Sequence, residues 1–310
     1  MQFNNILFPI DFADRSLSLN SEVEWLAERF NSKVTLLHVY ELPSNWFANK
    51  EAALLSGLDI AAFAGGEKRR LQEYPIQIPE SRVERVWLEG DAASQIVDWS
   101  RSHTTDIIMM GTQGFGALRG TLLGSVAMKV LHEADCPVWT HATHQDNVKQ
   151  FIGIAGIVCL LALTTEAVPQ LRFARDVAIA LNAHVRLFHA LPAQELRAGH
   201  KFVNSGLWEK LSQMAASEFA KKQRVAGTDF DLTITPGYVA QDAADLAADF
   251  GADLMIIGRG HARRRLGTLR THVFDIIRDA PCPVLSYSTD WHCIDATDKA
   301  FSEVLPVTHG

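Results

Sequence analysis

The chain has 310 residues, which favours two domains because a domain typically holds about 100 to 200 residues. Hydrophobic residues make up 47 % of the chain and charged residues 21 %, so it can bury a core and is not intrinsically disordered. A net charge of -7 argues against sequence-independent binding to nucleic acid or to an anionic membrane as the main task.

The predicted elements alternate along the chain. Short apolar, β-branched segments are separated by longer amphipathic ones, which predicts βαβ units and a parallel sheet. In the first half, the predicted strands are Ile6 to Ile10, Lys33 to Tyr40, Arg82 to Leu88, Asp106 to Gly111 and Val138 to His141. Helices are predicted over Ser16 to Phe30, with Asp14 or Ser16 as the cap, over Ala92 to Arg101 and over Leu122 to Glu133.

The second half repeats this order. Its predicted strands are Ile157 to Leu163, His184 to Leu191, Leu232 to Pro236, Asp253 to Gly258 and Val284 to Tyr287. Three pairs of segments match at offsets of 151, 147 and 146 residues, beginning at Val34 and Val185, at Thr105 and Ala252, and at Asp135 and Pro281. The chain is therefore predicted to hold two copies of one α/β domain, with a polar linker near Thr143 to Gln150.

The N-terminus and the cysteines bear on the compartment. No basic region followed by an apolar stretch opens the chain, and the longest apolar stretch, Phe151 to Leu163, is shorter than the roughly 20 residues that span a membrane. The four cysteines form no CxxC pair, which argues against a disulfide framework or a zinc knuckle. We expect a cytoplasmic protein with reduced thiols and a surface-exposed tail after Tyr287.

A glycine-rich segment follows the fourth strand. It begins at Gly111 and has the spacing G-x2-G-x9-G-S, formed by Gly111, Gly114, Gly124 and Ser125. A strand followed by a glycine-rich loop and a helix start can hold phosphate, since backbone N–H groups approach the oxygen atoms and the helix terminus adds partial positive charge. The segment is neither a Walker A loop nor a dinucleotide GxGxxG.

This spacing, the opening Ile6-Leu7-Phe8-Pro9-Ile10-Asp11 and the Asp135-Cys136-Pro137-Val138 before the fifth strand together resemble the universal stress protein family. The resemblance implies two tandem copies of an open, mostly parallel five-stranded sheet flanked by helices, Rossmann-like and similar to adenine nucleotide alpha hydrolases. The domains are expected at residues 1–147, with an intact motif, and 148–290, with a degenerate one, before a tail at 291–310.

In the ATP-binding branch of that family, an aspartate after the first strand contacts adenine, and the glycine loop holds ribose and phosphates. The resemblance therefore implies an ATP site, with ADP or AMP as other possible ligands and Mg²⁺ possible beside the nucleotide. The implied adenine contacts are Pro9, Ile10, Asp11 and Val39, and the implied ribose and phosphate contacts are Met110, Gly111, Gly114, Gly124, Ser125 and Val126.

Each of these residues also has a structural interpretation. Asp11 alone could cap the next helix, and the glycines could serve only the turn. The complete spacing favours the nucleotide. In the second half, Ala162 stands opposite Asp11, and Arg270-Thr271 stands opposite Gly124-Ser125, so that half is expected to keep the fold without the site.

Other features have weaker functional interpretations. Arg259, Arg263, Arg264, Arg265 and Arg270 concentrate positive charge on the degenerate loop, where a solvated loop is favoured over a site for an anion. His38, His189, Cys136 and Cys282 recur at equivalent positions, which favours packing over catalysis. The segment Trp46 to Gly66 is expected to belong to a helix on the sheet, with a mobile flap or partner surface as the alternative.

The residues favour a nucleotide-binding stress or signalling protein over an enzyme. No acidic residue lies between Thr112 and Leu131 to hold Mg²⁺ or orient water, and Asp11 is assigned to the base. The alternatives are a slow ATPase, a nucleotidyl transferase and a nucleotide-free scaffold. In the family two domains commonly pair through their fifth strands, which implies an internal pseudo-dimer here. A homodimer and an unknown protein partner are further possibilities, and neither nucleic acid nor a membrane is expected as a partner.

Overall fold

The computed structural model describes residues 1–12, 17–41, 60–112, 123–141, 151–191, 205–259, 272–288 and 291. The expected caps Asp14 and Ser16, the linker Thr143 to Gln150, most of Trp46 to Gly66 and the motif residue Gly114 lie outside these ranges. The final glycines of the Trp46 to Gly66 segment belong to a helix, as expected.

The described elements alternate between strand and helix in both halves. The first half contains β1 (Asn5–Pro9), α1 (Asn20–Phe30), β2 (Lys33–Tyr40), α2 (Ile60–Gln72), a short 3-10 turn (Glu80–Arg82), β3 (Val83–Glu89), α3 (Ala92–Ser102), β4 (Ile107–Gly111), α4 (Ser125–Glu133) and β5 (Val138–His141). The second half contains β6 (Gly156–Leu160), α5 (Ala167–Leu181), β7 (His184–Ala190), α6 (Ser205–Ala226), β8 (Asp231–Thr235), α7 (Val239–Phe250), β9 (Leu254–Gly258), α8 (Val273–Asp279) and β10 (Val284–Tyr287).

The ten strands form one continuous sheet in the order β3-β2-β1-β4-β5-β10-β9-β6-β7-β8. All pairings within each half are parallel. The expected α/β fold with two open five-stranded sheets is confirmed, and the two sheets are joined edge to edge.

The join is an antiparallel pairing of β5 with β10, in which Trp139 stands opposite Leu285. These two residues are also equivalent in the repeat, since they are 146 positions apart. An approximate twofold axis therefore passes through this pair. The pairing of fifth strands that the resemblance implied is present within the single chain.

Four strands, β1, β6, β7 and β8, end earlier than the apolar pattern predicts, and the ends of β1 and β6 share one feature. β1 stops at Pro9 rather than Ile10, and β6 stops at Leu160 rather than Leu163. The carbonyl oxygen of Ile10 lies 2.9 Å from Nδ1 of His38, and the carbonyl oxygen of Leu161 lies 2.8 Å from Nδ1 of His189. A histidine ring from the neighbouring strand thus replaces the next backbone contact of the sheet. This contact gives both histidines the structural role that the sequence favoured.

Helix ends repeat between the halves as well. Asn31 follows α1 with φ of 51°, and Asn182, 151 positions later, follows α5 with φ of 58°. Asparagine tolerates this left-handed conformation better than most residues do, which suits it to the end of a helix. Asp91 begins α3 and accepts a hydrogen bond from the Ser94 N–H at 2.9 Å. α4 begins at Ser125, three residues later than the apolar spacing predicts, whereas Leu17 and Ser18, just before α1, are already helical.

The sheet separates two apolar layers that run through both halves. One layer lies between the sheet and α1 and α5, and it contains Phe8, Leu26, Trp139, Ile157 and Phe173. The other lies beneath α3, α4, α7 and α8, and it contains Leu7, Val130, Ile108, Val158 and Ile277. Because both layers are continuous across the β5–β10 junction, burial of apolar surface also holds the halves together.

The sequence predicts a surface-exposed tail after Tyr287, but part of this tail is buried. Trp291 packs its ring edge-on against Phe173, with ring centroids 5.7 Å apart, and Phe173 also stacks on Tyr287 at 4.4 Å. Ser288 is fully buried. An aromatic side chain in a polar segment thus folds back on the sheet, since its apolar area is large.

Candidate functional site

The strand order places a crevice between β1 and β4. These strands are neighbours, and the helices that follow them, α1 and α4, lie on opposite faces of the sheet. In open α/β sheets such a switch point, at the carboxyl ends of the strands, is where ligands bind. Pro9 ends β1 and Gly111 ends β4, so these two predicted motif residues lie at the same edge of the sheet.

Asp11 stands just beyond β1 and is half-buried, whereas Ile10 is buried in the core. Its neighbourhood includes Tyr74. Burial, and to a lesser degree the negative charge of Asp11, raise the pKa of the Tyr74 phenol above its usual value. The Tyr74 hydroxyl donates a hydrogen bond to Oδ1 of Asn20 at 2.8 Å. The spacing of residues along the chain gave no sign that Tyr74 belongs to the surroundings of Asp11.

The backbone turns sharply directly after Asp11. Phe12 has φ of 59°, in the left-handed region, where a bulky residue is uncommon. Its ring lies 4.3 Å from the ring of His38, and the guanidinium of Arg70 lies 4.5 Å from the ring centre. Arg70 also donates to the Phe12 carbonyl at 3.2 Å. Packing from β2 and α2 therefore holds a turn that costs on the order of 1 to 3 kcal/mol, and such turns cluster at functional sites.

Three apolar motif residues share one side of the crevice. Met110 belongs to the apolar layer beneath α3 and α4, and Val39 and Val126 pack against that same layer. Val39 and Val126 are each half-buried, so part of each side chain remains open at the edge. The structure thus brings together residues from β2, β4 and α4 that are far apart in sequence.

The two ends of the glycine-rich loop are joined by a hydrogen bond. The Gly124 N–H donates to the carbonyl oxygen of Thr112 at 2.7 Å. This backbone group is therefore engaged and does not point to a ligand, contrary to the simplest interpretation of the motif. The first bond of α4 runs from the Met128 N–H to the Gly124 carbonyl at 2.9 Å, so the N–H groups of Ser125, Val126 and Ala127 have no acceptor within the helix.

The backbone conformation at the two described motif glycines, Gly111 and Gly124, does not require glycine. Gly124 has φ of -61° and ψ of 147°, which any L-residue can adopt, and Gly111 lies in an extended strand. Close approach of another group, such as a ligand, is the other common reason for a glycine. The exposed Ser125 hydroxyl and the three helix-terminal N–H groups follow Gly124 directly.

In the second half, a side chain stands over the glycine that corresponds to Gly111. Gln170 is buried, and its Nε2 donates to the Leu160 carbonyl at 2.7 Å. A Cβ on Gly258, the counterpart of Gly111, would lie only 2.5 Å from Oε1 of Gln170. The side-chain amide therefore fills the space above this glycine. Ala162 replaces Asp11 there, while the counterparts of Gly124 and Ser125 fall beyond the described part of the chain.

Arg259 follows β9 directly and is buried at the junction between the halves. It is 4 % exposed, and its guanidinium donates to backbone carbonyls of the first half. The other arginines of that cluster, Arg263 to Arg270, lie in the range 260–271, which the structure does not describe. For Arg259, the structure replaces both the solvated and the anion-binding interpretations with a buried contact between the halves.

The described residues contain no group of three or more His, Cys, Asp or Glu side chains placed to hold a metal ion. No helix among them has both the length and the apolar character needed to cross a membrane.

Comparison with known proteins follows the division into halves. The family model described as "Universal stress protein family" matches residues 2–140 and again 157–287. A universal stress protein of Thermus aquaticus, named for the QAH/OAS sulfhydrylase 3′ region, is 29 % identical over 138 residues, which are 44 % of this chain and 96 % of that protein. The similarity thus covers one domain of this chain and nearly the whole of the relative.

Two solved structures share the complete architecture. Protein PA1789 of Pseudomonas aeruginosa is 16 % identical with a TM-score of 0.61, and the match covers 93 % of each chain. A universal stress protein of Archaeoglobus fulgidus is 17 % identical with a TM-score of 0.58, over 93 % of this chain and 99 % of that one. At these sequence identities the structural similarity shows the fold alone. Family membership is shown by the two matches to the family model. The chain therefore belongs to the universal stress protein family and carries two of its domains in tandem.

Proposed function

We propose that the first half binds ATP, or another adenine nucleotide, in the crevice between β1 and β4, and that the protein acts as a nucleotide-responsive stress or signalling protein. The observation that carries the proposal is the backbone conformation of Gly124. At φ of -61° a side chain would be tolerated by the backbone, so the glycine is better explained by a ligand that approaches closely than by a turn.

The groups around the crevice suit the two ends of a nucleotide. The half-buried carboxylate of Asp11 can accept a hydrogen bond from an exocyclic amine, and Val39 and Met110 offer an apolar surface to a base. The N–H groups of Ser125, Val126 and Ala127, at the positive end of α4, suit phosphate oxygens. The Ser125 hydroxyl adds a further donor.

The second half supports a single site for each chain. Gln170 occupies the space above Gly258, and Ala162 offers no acceptor for a base. We therefore propose one nucleotide per chain, with its occupancy altering the surface of the first half. Mg²⁺ would accompany the phosphates as part of the ligand.

Calorimetric titration of ATP with Mg²⁺ tests the proposal, together with mass spectrometry of any ligand released on denaturation. We expect one nucleotide per chain for the unmodified protein. Asp11→Ala should remove the base contact, and Ser125→Ala should weaken binding about tenfold, as expected for a lost bond to a charged group. Gly124→Ala should abolish binding while the melting temperature stays nearly unchanged, because its backbone conformation suits alanine.

Ser102→Ala is the matched control. Ser102 is exposed at the end of α3, and its hydroxyl contacts the Asp98 and Trp99 carbonyls and the adjacent His103 ring, so this variant should bind ATP normally. Absence of binding by the unmodified protein, with no nucleotide released from it, would contradict the proposal. ATP turnover above a protein-free blank, lost in Gly124→Ala, would instead make the protein an ATPase.

A further inference from the structure

The C-terminal end of α4 is held by the opposite half of the protein. Nη1 of Arg259 donates to the carbonyl oxygens of Leu131 at 2.6 Å and Ala134 at 3.0 Å, and Nη2 donates to Cys136 at 2.6 Å. Leu131 lies within α4, Ala134 follows the helix directly, and Cys136 lies two residues further on. One guanidinium thus binds three carbonyls across the junction between the halves.

Such carbonyls normally require a partner. The last four carbonyls of a helix receive no hydrogen bond from an N–H group of the same helix. A cation at that end also complements the helix dipole. Within the last turn, Val130 accepts from the Ala134 N–H at 2.9 Å, and Glu133 accepts from Arg101 of the same half at 2.7 Å. Arg101 is 39 % exposed, so water can replace it, whereas Arg259 is 4 % exposed and water cannot readily do so.

The contact runs in one direction only. The counterpart of Arg259 in the first half is Thr112, 147 positions earlier, which is buried and bonds its own half. Its hydroxyl lies 3.4 Å from the carbonyl of His141, and its own carbonyl accepts from Gly124. The second half therefore supports α4 of the first half, and among the described residues Thr112 makes no equivalent contact in return.

We propose that Arg259 is a positioning residue for α4, through which the second half determines how firmly the first half holds the phosphate end of its ligand. This proposal rests on the proposed nucleotide site for its functional part. α4 has nine residues, a rod of about 13 Å, so an anchor at its C-terminus also fixes the N–H groups of Ser125, Val126 and Ala127 at the crevice. Because such coupling is reciprocal, a bound phosphate also stabilises the contact between Arg259 and the C-terminal end of α4.

The test compares Arg259→Met and Arg259→Lys with the control Arg29→Met. Arg29 also crosses between the halves, donating to the Ala180 carbonyl at 2.9 and 3.2 Å, but it belongs to α1 and is exposed. Two quantities are measured for each protein. One is amide hydrogen exchange of the α4 peptide without nucleotide, and the other is the pair of dissociation constants for ATP and for adenosine.

In Arg259→Met we expect faster exchange in α4 and about a tenfold loss of ATP affinity, with adenosine affinity unchanged within about twofold, because adenosine lacks the phosphates that α4 holds. Arg259→Lys keeps the charge and should lie between the unmodified protein and Arg259→Met. Arg29→Met should change neither quantity. The split between ATP and adenosine separates positioning from general loss of structure, which would weaken both ligands equally.

Two results would overturn the proposal: unchanged α4 exchange in both Arg259 variants, or equal losses for ATP and adenosine. If Arg259→Met does not fold, Arg259→Lys decides by the same two criteria. If the unmodified protein binds neither ligand, the proposed nucleotide site fails. In that case the exchange measurement alone decides whether Arg259 anchors α4.

Discussion

Thr140 and Ser286 occupy equivalent positions in the fifth strands of the two halves, and each donates its hydroxyl to the backbone of the other strand. Thr140 Oγ1 lies 3.2 Å from the Val284 carbonyl, and Ser286 Oγ lies 3.0 Å from the Val138 carbonyl. Both side chains are fully buried. The approximate twofold symmetry thus extends from the fold to individual hydrogen bonds, and it locates the contact that should matter most for joining the halves.

Removal of both hydroxyls is expected to weaken the junction. Thr140→Val and Ser286→Ala should each lower the free energy of unfolding by about 1 kcal/mol, the usual net value of one hydrogen bond. The double variant should lose about the sum, since each hydroxyl bonds a different carbonyl. Urea unfolding measures these changes. Ser102→Ala, whose hydroxyl is exposed, serves as the control, and a loss of equal size there would contradict a special role for the junction.

Substitution of the buried Glu22 should strongly lower the free energy of unfolding. Glu22 is 2 % exposed, its Oε2 accepts from the indole N–H of Trp139 at 2.6 Å, and its Oε1 contacts Nδ1 of His141. Glu22→Ala leaves the buried Trp139 indole and the half-buried His141 ring without this partner and should lower the free energy of unfolding by about 2 to 4 kcal/mol.

Glu22→Gln keeps one oxygen for Trp139 and should lose less. Glu28→Ala is the control on the same helix, because Glu28 is 81 % exposed in its ion pair with Arg82 and such pairs contribute about 1 kcal/mol or less. Chemical denaturation distinguishes the three variants. Equal losses for Glu22→Ala and Glu28→Ala would show that burial of the Glu22 carboxylate is unimportant.

His189 should make the second half sensitive to acid. Burial disfavours the charged imidazole and lowers the pKa of His189 below its ordinary 6.5, an effect larger than the opposing contact with the Leu161 carbonyl. As pH falls below 6.5, the unfolded chain takes up the proton first, so the free energy of unfolding should fall until the lower folded-state pKa is passed.

His189→Gln can still donate to the Leu161 carbonyl but cannot titrate. This variant should therefore show a flatter decline in the free energy of unfolding between about pH 7 and pH 5 than the unmodified protein, as linkage requires. Parallel urea titrations across that range measure the difference. Identical slopes in the two proteins would contradict the assignment.

The described cysteines should be unreactive in the folded protein. Burial raises the pKa of Cys136, Cys159 and Cys282 to about 12, so at neutral pH each is a protonated thiol without access to solvent. Iodoacetamide labelling followed by peptide mass spectrometry should modify these three only after denaturation. Rapid labelling of any of them in native buffer would indicate local opening of the sheet.

The sequence alone determined the repeat, the strands and the glycine motif. These features are local, because alternation of apolar segments and the spacing of glycines are properties of a few consecutive residues. It also indicated that the second half departs from the motif at Ala162. It could not place the strand ends at Pro9 and Leu160, because in both cases a histidine from the next strand takes the carbonyl that the sheet would otherwise use.

Only the tertiary structure decided the roles of Glu22, Gln170 and Arg259. Glu22 meets Trp139 across 117 positions, and Arg259 meets Leu131 across 128, so no window of sequence contains either pair. In composition Arg259 is one of several arginines in a charged segment, yet it is buried among carbonyls of the other half. Burial and hydrogen bonding between distant residues depend on how the two sheets are joined, and that arrangement exists only in the folded chain.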